Sequence, residues 1–380
     1  RWQRDLAGTH QSVGDWLVAQ GRLDEALTAY RAAVEILERL AGQDPTNVVW
    51  QHWFSVSLNR VGDVLVAQGR LGDALAAYRA SMEIAERLAR QDRTNAEWQR
   101  ELSVSQQKVG DVLQVLGRSD DALTTYQASL EIAECLARQD STNPAWQHDL
   151  SIAHTDVGDM LEAQGNLADA SKAYRASLAI AERLAAQDPT NAGRQRALSV
   201  FHNRVGNVLK TQGNLAGASE AYRAGLTIAE RLASKDPSNA FWQRGLSHSH
   251  TDVGDVLLAR GRLRGALAAY RAALEIRERL AGQDPTNTNW QRDLSVGHTD
   301  VGDVLLAWGR LQGALAAYRG ALEICERLAS QDPTNTDWQS ILSSRHFRVG
   351  MALLTLRQLG EALTAYRAAV EILERLAGQD

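Results

Sequence analysis

An all-α chain of about sixteen antiparallel helices, paired as eight helix-turn-helix units, is what the sequence predicts. Three periodic features carry that reading. Tryptophan recurs at Trp2, Trp50, Trp98, Trp146, Trp242, Trp290 and Trp338, spaced by 48 or 96, with Arg194 filling the one gap in register. Tyrosine keeps the same period at Tyr30, Tyr78, Tyr126, Tyr174, Tyr222, Tyr270, Tyr318 and Tyr366, and these are all the tyrosines of the chain. One glycine per period, from Gly21 to Gly309, punctuates the interval between them. A fixed period of this length marks a stacked array, in which each unit buries its apolar face only against its neighbours.

The first helix of the second unit is drawn from about Asn47 to Gln68. Asn recurs at 47, 95, 143, 191, 239, 287 and 335, as an N-cap whose side chain accepts from free backbone N–H groups. Pro144 directly after Asn143 fits the helix position that best tolerates proline. Gly21, Gly69, Gly117, Gly165, Gly213, Gly261 and Gly309 end the first helices as C′ glycines. The second helix runs from roughly Asp24 to Gly42, with Ala26, Tyr30, Ala33, Ile36, Leu37 and Leu40 at helical spacing. Gly14 and Ala26 are unchanged in all eight units, which predicts small residues facing each other where the two helices cross. Leu17, Ile36 and Leu40 are equally constant. The units divide the chain into 1–46, 47–94, 95–142, 143–190, 191–238, 239–286, 287–334 and 335–380, read together as a single solenoid domain over 1–380.

This pattern resembles the tetratricopeptide repeat. The family's order of small residue, glycine, alanine, aromatic and alanine is matched by Gly14, Gly21, Ala26, Tyr30 and Ala33, with Leu17 in the large-residue slot, and the match recurs over the whole chain. The family's usual unit is about 34 residues, so each unit here carries about fourteen more, roughly two extra turns per helix. The family's closing proline is displaced to Pro45, Pro189, Pro237, Pro285 and Pro333, His10 stands where the family often has tryptophan, and Arg357 replaces the last turn glycine. The resemblance implies a right-handed superhelix whose first helices line a concave groove for peptides.

Composition narrows the function. Lys plus Arg (41) nearly balance Asp plus Glu (46), for a net charge of −5, which offers no basic field for nucleic acid or anionic lipid. No apolar run approaches the roughly 18 residues of a membrane span. The two cysteines, Cys135 and Cys325, lie almost four units apart at different registers and read as free thiols of a reducing compartment, with a cytoplasmic location favoured. Opening on Arg1 in mid-pattern, without an initiator Met, the chain reads as a piece of a longer array or a processed product.

Candidate chemistry is sparse. His10, His154, His202, His250, His298 and His346 form a column, but neighbours about 10 Å apart cannot share a metal whose bonds are about 2 Å. The column sits on the face of Leu6, Val13 and Leu17 and reads as packed, hydrogen-bonded histidine. His248 and His250 diverge by about 200° on a helix. The tryptophans, at the start of every first helix, read as seals between units. No nucleophile with its base, phosphate loop or paired carboxylates in a pocket is present, so an enzyme is not expected, nor a cofactor or metal.

The aspartate column is the candidate binding face: Asp15, Asp63, Asp111, Asp159, Asp255 and Asp303, with Asn207 and Met351 completing it. Asn59, Gln107, Thr155, Asn203, Thr251 and Thr299 lie one turn earlier on the same side. One reading is an acidic, amide-rich groove for a basic or amide-bearing protein segment. The other is a ladder in which each Asp pairs with an Arg or a hydroxyl of the next unit. A clamp for a C-terminal carboxylate, known in the family, would be repelled by Asp at these positions. Position 12 of the unit varies most, as Ser12, Arg60, Lys108, Asp156, Arg204, Asp252, Asp300 and Arg348, whereas packing columns do not vary.

Two functions follow. The first is a protein-interaction scaffold binding a peptide or protein domain in that groove. The second is a structural element stacking head to tail into a filament, suggested by the identity of residues 25–44 and 361–380 and the lack of polar capping units.

Overall fold

The computed structural model describes residues 2–378; the opening Arg1 and the last two residues of the repeated stretch 361–380 lie outside the described residues. The first helices of the units are α1 (Trp2–Ala19), α3 (Val48–Ala67), α5 (Ala96–Val115), α7 (Pro144–Ala163), α9 (Ala192–Thr211), α11 (Ala240–Ala259), α13 (Thr288–Ala307) and α15 (Thr336–Thr355). The second helices are α2 (Leu23–Gln43), α4 (Leu71–Gln91), α6 (Ser119–Gln139), α8 (Leu167–Gln187), α10 (Leu215–Lys235), α12 (Leu263–Gln283), α14 (Leu311–Gln331) and α16 (Leu359–Ala377). Among the described residues there is no strand, and the eight helix pairs match the eight predicted periods.

The predicted boundaries have their predicted causes. Each Asn cap accepts from the backbone N–H two or three residues on, as Asn47 does from Trp50 at 3.2 Å and Asn95 from Glu97 at 3.0 Å. Gly21 ends α1 at φ +73°: its N–H donates to Val18 and that of Arg22 reaches back to Leu17 at 3.0 Å, a Schellman turn. The six equivalent glycines share that φ to within a few degrees, and Arg357 adopts +63° in the last unit, a conformation costly for a side-chain-bearing residue.

The chain falls into two compact units, one ending at Ala186 and one beginning at Gln187. In the first, successive helices from α1 to α6 each pack on the next, and α6 packs on α7. One continuous core runs through it, from Leu17 and Tyr30 through Val61, Leu65, Tyr78, Val109, Leu113 and Tyr126 to Val157 and Met160. Trp50 packs with Ala33, Leu37 and Leu40 of the preceding helix pair, and Trp98 with Ile84 and Leu88, which is the sealing role expected of that column. In the second unit α9 to α16 pack in the same serial order.

The sequence reading is corrected at two packing positions. Gly14 does not face Ala26: a Cβ added there would lie 2.5 Å from the Tyr30 ring, and at Gly254 it would lie 2.6 Å from the Tyr270 ring. The glycine column is therefore a seat for the tyrosine of the same pair. The core face of α1 is Ala7, Gln11, Gly14 and Leu17, while Leu6 and Val13 are exposed. Val13 is 45% exposed against 7% for Val61, because burial at this position comes from a preceding helix pair.

Candidate partner-binding face

Because the tyrosine of each second helix lies across the glycine of the first, its hydroxyl emerges beside position 15. Tyr30 donates to Asp15 at 2.6 Å, Tyr78 to Asp63 at 2.7 Å, Tyr126 to Asp111 at 2.7 Å and Tyr174 to Asp159 at 2.6 Å. In the second unit Tyr222 donates to Asn207 at 2.7 Å, Tyr270 to Asp255 at 2.8 Å and Tyr318 to Asp303 at 2.6 Å. Burial and the facing carboxylate push the pKa of Tyr78 and Tyr270 far above the ordinary tyrosine value. The hydroxyl comes from the same helix pair, not the next one. The constant interval of fifteen residues between the two columns was the sequence signal for it.

The next pair contributes a cation instead. Arg60 meets Asp15 at 3.2 Å and Lys108 meets Asp63 at 2.5 Å, both from position 12. Arg348 reaches Asp303 in the same way, whereas Lys210 bonds Asp255 at 2.8 Å from the preceding pair. At least four of the six aspartates are thus paired with a cation, three of them with position 12 of the next pair.

On α11 and α13 the ladder breaks, because position 12 is itself acidic. Asp252, Asp255, Asp300 and Asp303 stand together with Lys210, Arg277 and Arg348 as their cations. Burial, then the neighbouring Asp255, raises the Asp252 pKa to about 7 against the pull of Lys210 and Arg277. Burial raises Asp300 to about 6, with Arg277 opposing. Arg277 is only 3% exposed, bonding Asp300 at 3.3 Å and the Thr251 hydroxyl at 2.9 Å, and its Nε has no partner. A buried cation was not legible at a position that is Leu, Ala or Cys in the other units. Gly297 makes room for it, since a Cβ there would sit 3.2 Å from the guanidinium.

The residues one turn earlier divide. Gln107 donates to Asp156 at 3.3 Å. Thr155 donates to the Ser151 carbonyl at 2.8 Å and Thr251 to that of Ser247 at 3.2 Å. Thr299 does the same to Ser295 and is buried. Asn59 and Asn203 each hold a buried Oδ1 with no partner.

Two further ladders escaped the sequence reading. Gln follows the Trp position in every unit, and from α3 on most copies are buried. Gln243 donates to the Ala233 carbonyl at 3.1 Å and accepts from Arg279 at 2.5 Å; Gln291 likewise bridges Ala281 and Arg327. In the third unit Cys135 replaces that arginine, and a cavity of about 340 Å³ lined by Gln99 and Cys135 opens there. The other ladder joins position 4 of one unit to position 5 of the next: His52 to Glu101 at 2.7 Å, Arg100 to Asp149 at 2.5 Å and Arg244 to Asp293 at 2.6 Å. The Glu101 hydrogen bond raises the His52 pKa.

The histidine column is half-buried: burial lowers the pKa of His154, His250 and His298, against nearby Glu134, Glu230 and Glu278. Among the described residues no group of three or more His, Cys, Asp or Glu is placed to hold a metal, and no helix is long and apolar enough to cross a membrane. Cys135 and Cys325 are free thiols.

A family model described as tetratricopeptide repeat matches residues 7–47, 55–91 and 251–287. No curated protein matches the chain. Among solved structures, BtubC (BKLC) from P. vanneervenii superposes with a TM-score of 0.52 at 20% identity, covering 69% of this chain and 92% of its own. The apo form of RapI gives 0.52 at 16% identity, covering 85% and 99%. Aspartyl phosphate phosphatase F from Bacillus subtilis gives 0.54 at 10% identity, covering 90% and 75%. At these identities the likeness is one of fold.

Proposed function

We propose, with the tetratricopeptide-repeat model that matches residues 7–47, 55–91 and 251–287 in support, that the chain is a non-enzymatic scaffold that holds a protein or peptide partner along its first helices. The partner is a basic or amide-rich segment, and its main seat is α11 and α13. One observation carries this: the four carboxylates Asp252, Asp255, Asp300 and Asp303 outnumber their cations there, and Asp252 and Asp300 are held partly protonated by burial. An incoming Lys or Arg side chain gives these acids the positive neighbour that position 12 supplies to Asp15 and Asp63. Asp15 and Asp63, already bonded by Tyr and by Arg60 or Lys108, contribute less.

Fluorescence anisotropy with end-blocked twelve-residue peptides, one Lys/Arg-rich, one Asn/Gln-rich and one Glu-rich, tests the assignment. The Lys/Arg-rich probe should bind best, and Asp252→Asn with Asp300→Asn should weaken it at least ten-fold. Equal binding of the three probes, or no effect of the double substitution, ends the proposal. A second reading, head-to-tail association of copies, is favoured by the apolar side chains that α1 and α16 turn outward, among them Leu6, Val13, Leu363 and Val370. Light scattering across a concentration series decides it: a mass that stays monomeric removes the filament.

A further inference from the structure

The ladder between position 4 and position 5 has a gap at the α9–α11 junction. Arg196 occupies the cation position, but the acid position of the next unit is Gly245, and Arg196 forms no ion pair among the described residues. Its guanidinium lies instead over the Phe241 ring, 4.3 Å from the centroid. A Cβ added at Gly245 would meet nothing within 4 Å, so the space from which a carboxylate would reach Arg196 is open. Beside it lies a cavity of about 260 Å³, with Val200, Leu232, Phe241 and Trp242 among its walls. That is small against the roughly 300–1,000 Å³ of pockets for drug-sized ligands. Asn203 also lines it; its Oδ1 is buried without a donor while its Nδ2 is spent on Ser249 at 3.4 Å. At the other broken junctions the acid position holds a residue with a side chain, Trp53 after Arg4, Ala197 after His148 and Ile341 after Arg292; only Gly245 has none.

We propose that this junction is a second recognition pocket, for a partner segment in which an apolar side chain stands next to an aspartate or glutamate. The partner's carboxylate takes the place that Asp293 holds against Arg244 at the following junction. Its apolar side chain enters between Val200, Leu232 and Trp242. A charge-assisted bond to a guanidinium already held on an aromatic ring is stronger than a neutral one. The proposal deepens the scaffold reading but uses a different pocket and the opposite charge, so the two fail separately.

The probe is a fluorescein-labelled octapeptide with both ends blocked and Leu-Asp at its centre in a Gly/Ser background. Leu-Asn and Ala-Asp versions serve as controls. With the full chain, the Leu-Asp peptide should bind at least ten-fold more tightly than either control. Arg196→Gln and Gly245→Asp should each abolish that preference, the second by restoring the chain's own acid, with circular dichroism unchanged in both. Asp252→Asn should leave the preference intact. Equal binding of the Asp and Asn peptides, absence of binding by all three, survival of the preference in Gly245→Asp, or its loss in Asp252→Asn overturns the pocket.

Discussion

Position 12 is Lys108 on α5 and Asp252 or Asp300 on α11 and α13, and that single column separates two faces built on the same frame. On the first, Lys108 bonds Asp63, the tyrosine bonds the same carboxylate, and nothing is left to offer a partner. On the second, the tyrosine bonds remain and Lys210 and Arg348 still meet Asp255 and Asp303, but position 12 adds two further acids, Asp252 and Asp300, and a buried arginine is drawn in from α12. The lesson is that periodicity makes the scaffold and departures from it make the site.

The frame itself should be equally unforgiving on both faces. Gly62→Val and Gly254→Val each drive a side chain into a tyrosine ring and should lose about 3 kcal/mol, read by denaturant unfolding with the tryptophan signal. A cost at Gly254 much below that at Gly62 would mean the two faces differ in packing as well as charge. Next come the tyrosines. Tyr78→Phe and Tyr270→Phe remove a hydrogen bond to a carboxylate and should cost about 1.5 kcal/mol each. Tyr366→Phe, whose position-15 neighbour is Met351, should cost close to nothing.

Titration separates the faces more finely. The Asp252 pKa stands at about 7 when folded against 3.8 as the ordinary value, raised by burial and Asp255, and opposed by Lys210 and Arg277. The folded state then binds more protons than the unfolded one between those limits. Stability from this group is whole below about pH 4 and is lost as pH rises toward 7. Asp252→Asn should flatten that decline and gain ~1 kcal/mol at pH 8, measured as melting temperature against pH; an unchanged slope sinks the assignment. The smallest effect is at the broken ladder: Gly245→Asp should stabilise by about 0.5–1 kcal/mol through its helix propensity and a bond to Arg196. Arg196→Gln should erase the part that comes from that bond.

What was legible in the sequence was whatever a residue does to its own backbone or its own helix pair. Asn143 before Pro144, Gly21 before the second helix and the period of the tyrosines each act locally, so their positions revealed them. What was hidden depends on the neighbouring pair. Gln243 is as constant as Trp242, yet glutamine reads as surface until a carbonyl of the preceding pair and an arginine 36 residues on enclose it. Arg277 reads as solvated until Asp300 and Thr251 close around it. Leu6 and Val13 mislead in the opposite direction, since their apolar character promises burial and both are exposed on α1.

The glutamine bridge has a consequence for rearrangement of the chain. Its two bonds span the same intervals, ten residues back and 36 forward, at both Gln243 and Gln291. Excising residues 253–300 joins Asp252 to Val301 in mid-helix, with Gln243 keeping the Ala233 carbonyl behind it and meeting Arg327 in the place of Arg279. Such a chain is one step shorter with its seams unaltered, so its length is free to change by whole steps while a cut of any other size would mismatch every joint it touched.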